Sequence, residues 1–186
     1  MSPESIQTPF DPIFEEISRA LEVELYYLAV VVALTLPDVC AALSDPRGRT
    51  TGARYKAWVE RNLAPKYLFI NPQDIYSLRC GLLHQSQTIH QDGRFGRTVI
   101  SLPGASGSRV HASILGPPKA GRGDLDMAQA IMTLDAGMFC EDMISAVREW
   151  FAAHGSDLDV QANLPRLVRL RPDGLAPYVA GIPVIG

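Results

Sequence analysis

The sequence predicts a mainly α-helical single domain: about five helices, a small β-hairpin insertion and a docked C-terminal tail. Three observations predict it. Apolar residues recur at helical spacing from Ile13 to His84 and again from Met127 to Phe151. Between these stretches the pattern switches to two short β-like runs separated by turn residues. A chain of 186 residues, 47% apolar and 20% charged, suffices for one substantial core and lacks the composition of a disordered chain.

The elements follow in order. Residues 1–10 read as a lead-in, and Asp11-Pro12 is a cap and first-turn pair. Ile13, Ile17, Leu21, Leu25 and Leu28 then trace one helix face. The segment becomes apolar on nearly all sides through Leu36, as a central helix does. Pro37 either kinks this helix or opens a second one that runs through Leu43. Ser44–Gly52 has loop composition. A further helix is expected over Ala53–Ala64, with Tyr55, Trp58, Val59 and Leu63 on one face. Asn71-Pro72 is a start signal for the next helix, which ends near Ser86.

Arg97–Leu102 and Arg109–Leu115 are expected to pair as a hairpin across a Pro-Gly-Ala-Ser-Gly-Ser turn, within an insertion spanning 93–116. Residues 117–123 form a linker. Asp124 would then cap a long helix from about Leu125 to His154, stopped by Gly155. The tail, 156–186, holds one strand candidate at Arg166–Arg171. Its aliphatic end, Leu175 to Ile185, is expected to dock on the domain.

Composition narrows the function classes. The longest apolar stretch, Leu25–Leu36, is shorter than the roughly 20 residues of a membrane span, so it reads as a buried helix and no membrane partner is expected. No signal-peptide pattern opens the chain. Cys40, Cys80 and Cys140 are odd in number and widely spaced, which fits reduced thiols in the cytoplasm. The net charge of −3 is unevenly spread. Residues 46–123 carry 12 basic and 3 acidic side chains, while 1–45 carry 1 and 8 and 124–186 carry 4 and 9. Such a basic middle either attracts anionic ligands, RNA included, or is neutralised by acidic flanks folding back on it.

The segment Asp74-Ile-Tyr-Ser-Leu-Arg79-Cys-Gly-Leu-Leu-His84 carries the chemistry. Ile75, Leu78 and Leu82 form its apolar face, while Arg79 and His84 flank a second face with Tyr76, Cys80 and Leu83. Five residues apart, the two lie about 140° apart around an ideal helix and roughly 7.5 Å apart along it. A permanent cation and a titratable imidazole at the edges of a semi-apolar surface suit an anion site, a subunit contact or both. The plainer alternatives are an ion pair of Arg79 with Asp74 or Glu60, a helix-end histidine satisfied locally, and Tyr76 used for packing. Cys80 and His84 could share a metal only with further ligands, and neither His90 nor His111 is suitably spaced, so no metal or other cofactor is expected. The glycines at 93, 96, 104 and 107 belong to turns, since no phosphate-loop pattern is present. His111 is expected to sit on a hairpin face without special purpose.

In this helix order the Arg79-Cys-Gly-Leu-Leu-His84 motif, preceded by Tyr76 and Leu78, resembles that of the HEPN superfamily of small, commonly dimeric helical domains. The resemblance covers roughly 10–90 and 124–154. It implies a HEPN-like bundle acting as a metal-independent endoribonuclease, such as a toxin or phage-defence effector. Arg79 and His84 would be catalytic, with Tyr76 and Cys80 lining the substrate groove. It also implies a homodimer, with RNA or a nucleotide as ligand and an antitoxin or other protein as partner. Nuclease members usually carry a polar residue directly after the arginine, where this chain has Cys80. The alternative is therefore a non-catalytic HEPN-like module that binds a nucleotide, RNA or protein through the same groove.

Overall fold

The structure is a computed structural model and describes residues 8–89, 94–103, 107–119, 125–127 and 129–186. Six α-helices occur among them: α1 (Asp11–Glu22), α2 (Tyr26–Leu43), α3 (Gly52–Asn62), α4 (Pro72–Gln85), α5 (Ala136–His154) and α6 (Leu158–Asn163). The protein is mainly α-helical, with one three-stranded sheet whose central strand enters the core and two small two-stranded sheets. Helix α2 is the axis, and α1, α3, α4, α5 and α6 all pack against it. Its Ala29, Val30, Ala33, Leu34, Leu36 and Cys40 are buried in a core shared with Trp58, Leu78, Phe139, Met143 and Val147. By length and composition α2 could cross a membrane, but half of it is buried inside the fold, as in the central helix of a folded domain.

The expected continuous helix from Ile13 to Leu36 is broken at Val23–Leu25. Glu24 takes a left-handed conformation (φ 61°). The amide of Leu25 donates to the carbonyl of Ala20 at 2.7 Å, and that of Glu24 to Leu21 at 3.1 Å. This is a Schellman closure made without glycine, so no residue type announced it. Pro37 neither ends nor starts a helix, because α2 runs through it. Proline has no amide to offer the carbonyl one turn back and crowds it. Just beyond, the buried Tyr55 hydroxyl donates to the carbonyl of Leu34 at 3.1 Å.

The β segments differ most from expectation. Strands β1 (Arg97–Ser101) and β2 (Ser113–Leu115) do not pair with each other. A third strand, β3 (Ile131–Asp135), lies between them, parallel to β1 and antiparallel to β2. Sequence spacing predicts helix over residues 131–135, within the long helix from about Leu125 to His154. Met132, Thr133 and Leu134 are all buried, and periodicity cannot tell a strand covered on both faces from a short stretch of buried helix. The long helix accordingly starts at Ala136, capped by Asp135, whose carboxylate accepts from the Met138 amide at 2.9 Å. The expected cap Asp124 and the turn residues 104–106 lie outside the described residues.

The docked tail is corrected as well. Leu164 and Leu167 pack on the core, but from Leu170 the chain pairs with itself. β4 (Leu170–Arg171) joins β7 (Val184–Ile185), and β5 (Gly174–Leu175) joins β6 (Val179–Ala180). Leu170, Tyr178, Ile182 and Ile185 stay exposed. Glycines at φ 88° and 73° (Gly174, Gly181) and the nearby prolines turn the chain before an extended strand can form.

Candidate functional site

Helix α4 presents the predicted residues. Its start is a capping box. The Asn71 side chain accepts from the Asp74 amide at 3.0 Å, and the Asp74 carboxylate accepts from the Asn71 amide at 2.9 Å. Arg94 completes this corner, its guanidinium 2.5 Å from the Asp74 carboxylate. Asp74 is thus committed at the helix start and does not pair with Arg79.

The partner of Arg79 is Asp38. The guanidinium Nε and Nη2 lie 3.0 and 2.9 Å from Asp38 Oδ2, and both side chains are about four-fifths buried, with relative exposures of 20% and 17%. Burial disfavours the arginine's charge, but Asp38, together with Cys80, outweighs it and raises the pKa above its ordinary value. Asp38 is the only charged residue in α2. It follows Pro37 on the helical turn beside which Tyr55 is anchored. No motif in the sequence marks Asp38 as the partner of Arg79. A lone carboxylate after a proline in an otherwise apolar helix was the signal that could have found it.

Arg79 also reaches His84. Its Nη1 lies 3.0 Å from His84 Nε2, so the flexible arginine closes the separation that the helix imposes. A guanidinium only donates, so Nε2 is the acceptor and the ring proton sits on Nδ1. The structure therefore joins Asp38, Arg79 and His84 into one chain of polar contacts. His84 is exposed. Cys80 is half-buried, its Sγ 4.0 Å from the same Nη1.

Tyr76 stacks obliquely on Tyr55, with ring centroids 5.5 Å apart, and Lys56 Nζ sits 5.5 Å from its ring centre. The neighbouring Cys80 thiol, ahead of partial burial, raises the Tyr76 pKa. Its hydroxyl lies against Gly52 at the start of α3, where any Cβ would collide with it. Tyr76 is therefore a packed residue at the edge of the Arg79 face.

That face is open. Cavities of about 410, 490 and 420 Å³ open elsewhere on the described residues, and these three are not lined by Tyr76, Arg79, Cys80 or His84. Tyr27, Val31, Thr35 and Asp38 form one stripe of α2, beside Tyr76, Cys80 and Leu83 on α4. Leu25, Tyr27 and Leu28 are each about half exposed at its end. The Tyr27 hydroxyl ties the two helices together, 3.3 Å from Ser86 Oγ and 3.4 Å from the Leu82 carbonyl.

The acidic flanks do fold back on the basic middle. Arg54 pairs with Asp45, Arg79 with Asp38, Arg109 with Asp135 and Lys66 with Glu149. No three or more His, Cys, Asp or Glu side chains gather to hold a metal among the described residues. The cysteines are free, with Cys40 and Cys140 buried.

His111 is the residue most undervalued by sequence. Its Nδ1 accepts from the backbone amide of Asp135 at 3.1 Å, and its Nε2 lies 3.1 Å from Asp142 Oδ2. The Tyr67 hydroxyl donates to the same Asp142 oxygen at 3.1 Å. With both ring nitrogens engaged, His111 ties the segment before β2 to the start of α5. No local signal marks a contact across 31 residues.

No protein-family model, curated protein or solved structure matches this chain. The geometry defines a helical protein with an open Asp38–Arg79–His84 face, and the function is argued from that face.

Proposed function

We infer that the protein is a HEPN-like endoribonuclease acting without metal through Arg79 and His84, on a groove completed by a second copy of the chain. The observation that carries this reading is the 3.0 Å contact between the largely buried Arg79 guanidinium and Nε2 of the exposed His84. An open face suits a macromolecular substrate better than a small one.

The roles follow from the chemistry. His84 Nε2, already an acceptor, takes the proton of a ribose 2′-hydroxyl. The 2′-oxygen attacks phosphorus as the bond to the 5′-oxygen breaks. The leaving oxygen is protonated by the imidazolium of the second copy's His84. Arg79 turns its fork from His84 to the phosphate and stabilises the charge that builds on its oxygens. Asp38 holds the guanidinium in place, and Tyr76 and Cys80 border the groove. The semi-apolar stripes of α2 and α4 are the surface proposed for the two-fold contact, which reuses one self-complementary patch. RNA or a nucleotide is the ligand of this groove, an antitoxin-like protein a further partner, and the cytoplasm the proposed compartment.

One observation favours a non-catalytic binding module instead. Cys80, a weak donor, stands where nuclease members carry a polar group, and Arg79 is already satisfied by Asp38. The deciding experiment is cleavage of RNA by the purified protein in EDTA beside His84→Ala, with the oligomeric state measured by light scattering. Cleavage abolished by His84→Ala supports the nuclease. No cleavage, with RNA bound equally by both proteins, removes it.

A further inference from the structure

Away from that face, a cavity of about 410 Å³ opens between the start of α1, the C-terminal half of α2 and the segment following α6. Phe10, Ile13, Leu36, Val39, Leu43 and Leu167 supply its apolar walls. Arg166 also lines it and is exposed. Its Nη1 donates to Asn163 Oδ1 at 2.8 Å and to the Arg47 carbonyl at 3.4 Å. Asn163 is 3% exposed, and its amide donates to the carbonyls of Leu43, Asp45 and Asp159 at 3.1, 2.8 and 2.9 Å. Gly48, at φ +66°, lets the loop approach, since a Cβ there would strike both the Arg166 guanidinium and the Asn163 oxygen.

Arg166 is thus seated by neutral acceptors alone. It forms no ion pair among the described residues. Its Nε and Nη2 have no partner there. A cation oriented by a buried amide beside an apolar cavity is complementary to a molecule with an anionic head and an apolar tail. The volume falls at the lower end of small-molecule sites, which fits one short chain.

We propose that this cavity binds a medium-chain carboxylate, about eight to ten carbons long. The carboxylate lies against the free edge of the Arg166 fork. The chain lies among Ile13, Leu36, Val39 and Leu43. The site is independent of Arg79 and His84.

Calorimetric titration of octanoate, decanoate and octanol into the full chain tests this. Octanoate and decanoate bind one to one. Kd tightens about fourfold per methylene, so on the order of fifteenfold between the two acids. Arg166→Gln weakens octanoate about tenfold and leaves octanol unchanged, as expected for one lost charge-assisted contact. Ala42→Leu, on the cavity wall, weakens all three. Arg166 is exposed, so its variant tests the head-group contact even if Ala42→Leu fails to fold. Absence of saturable binding overturns the proposal, as does an affinity indifferent to Arg166→Gln. Binding seen only after removal of residues 1–7 assigns the cavity to the chain's own start and overturns it too.

Discussion

Asp38→Asn tests whether Asp38 holds the candidate site together. In the folded protein Asp38 Oδ2 meets two guanidinium nitrogens of Arg79, at 3.0 and 2.9 Å, with both side chains about four-fifths buried. Exposed ion pairs contribute about 0.2–1 kcal/mol, and breaking a fully buried one costs about 3–5 kcal/mol. This pair lies between those limits, so removing the charge should cost about 2 kcal/mol. For a chain of this size that corresponds to a fall in Tm of about 4–8 °C. The assay is urea unfolding of wild type, Asp38→Asn, Arg79→Met and the double variant. The midpoint should fall with little change in slope, as expected when stability changes but the exposed surface does not. The double variant should be more stable than the sum of the single losses predicts, by about 1–2 kcal/mol, because it leaves no largely buried charge unpaired. Additive losses within about 0.5 kcal/mol would show that Asp38 and Arg79 are not coupled, and the argument that Asp38 positions the guanidinium would fail.

Three further outcomes are expected. In the EDTA cleavage assay, Arg79→Lys loses at least about tenfold, because an ammonium cannot reproduce the planar fork, while Cys80→Asn retains or gains activity; full activity in the lysine variant would remove Arg79 from the reaction. Gly52→Ala forces the Tyr76 hydroxyl away from the start of α3 and should cost about 1–3 kcal/mol as overpacking, read by urea unfolding and by the near-ultraviolet circular dichroism of the tyrosines; no change would mean that Tyr76 is not seated there. Burial works to raise the Asp45 pKa, but the Arg47 and Arg49 amides and the Arg54 guanidinium outweigh it and hold the carboxyl below its ordinary range. Its stabilisation is therefore fully present above about pH 5 and is lost as pH falls through the depressed folded value, so the stability gap between wild type and Asp45→Asn should close on acidification below about pH 4. A gap constant from pH 7 to pH 3 would refute that account.

Elements whose signals are local were legible from the chain alone. Asn71-Pro72 marked α4 because a capping box and a proline at the first turn act within four residues. The α3 face of Tyr55, Trp58 and Val59 was readable from spacing alone, and all three are buried. Arg79, Cys80 and His84 were legible as neighbours because one helix carries them. The tertiary structure decided what depends on partners distant in the chain. Strand β3 inserted between β1 and β2 and cancelled the hairpin, since a sheet is chosen by its pairings and not by the runs that could join it. The same logic placed Asp38 on Arg79 across 41 residues and Asp142 on His111 across 31. Propensity and periodicity are properties of a few adjacent residues. An ion pair, a ladder register or a cavity wall is set by which segments the shared core brings into contact, and no single segment encodes that choice.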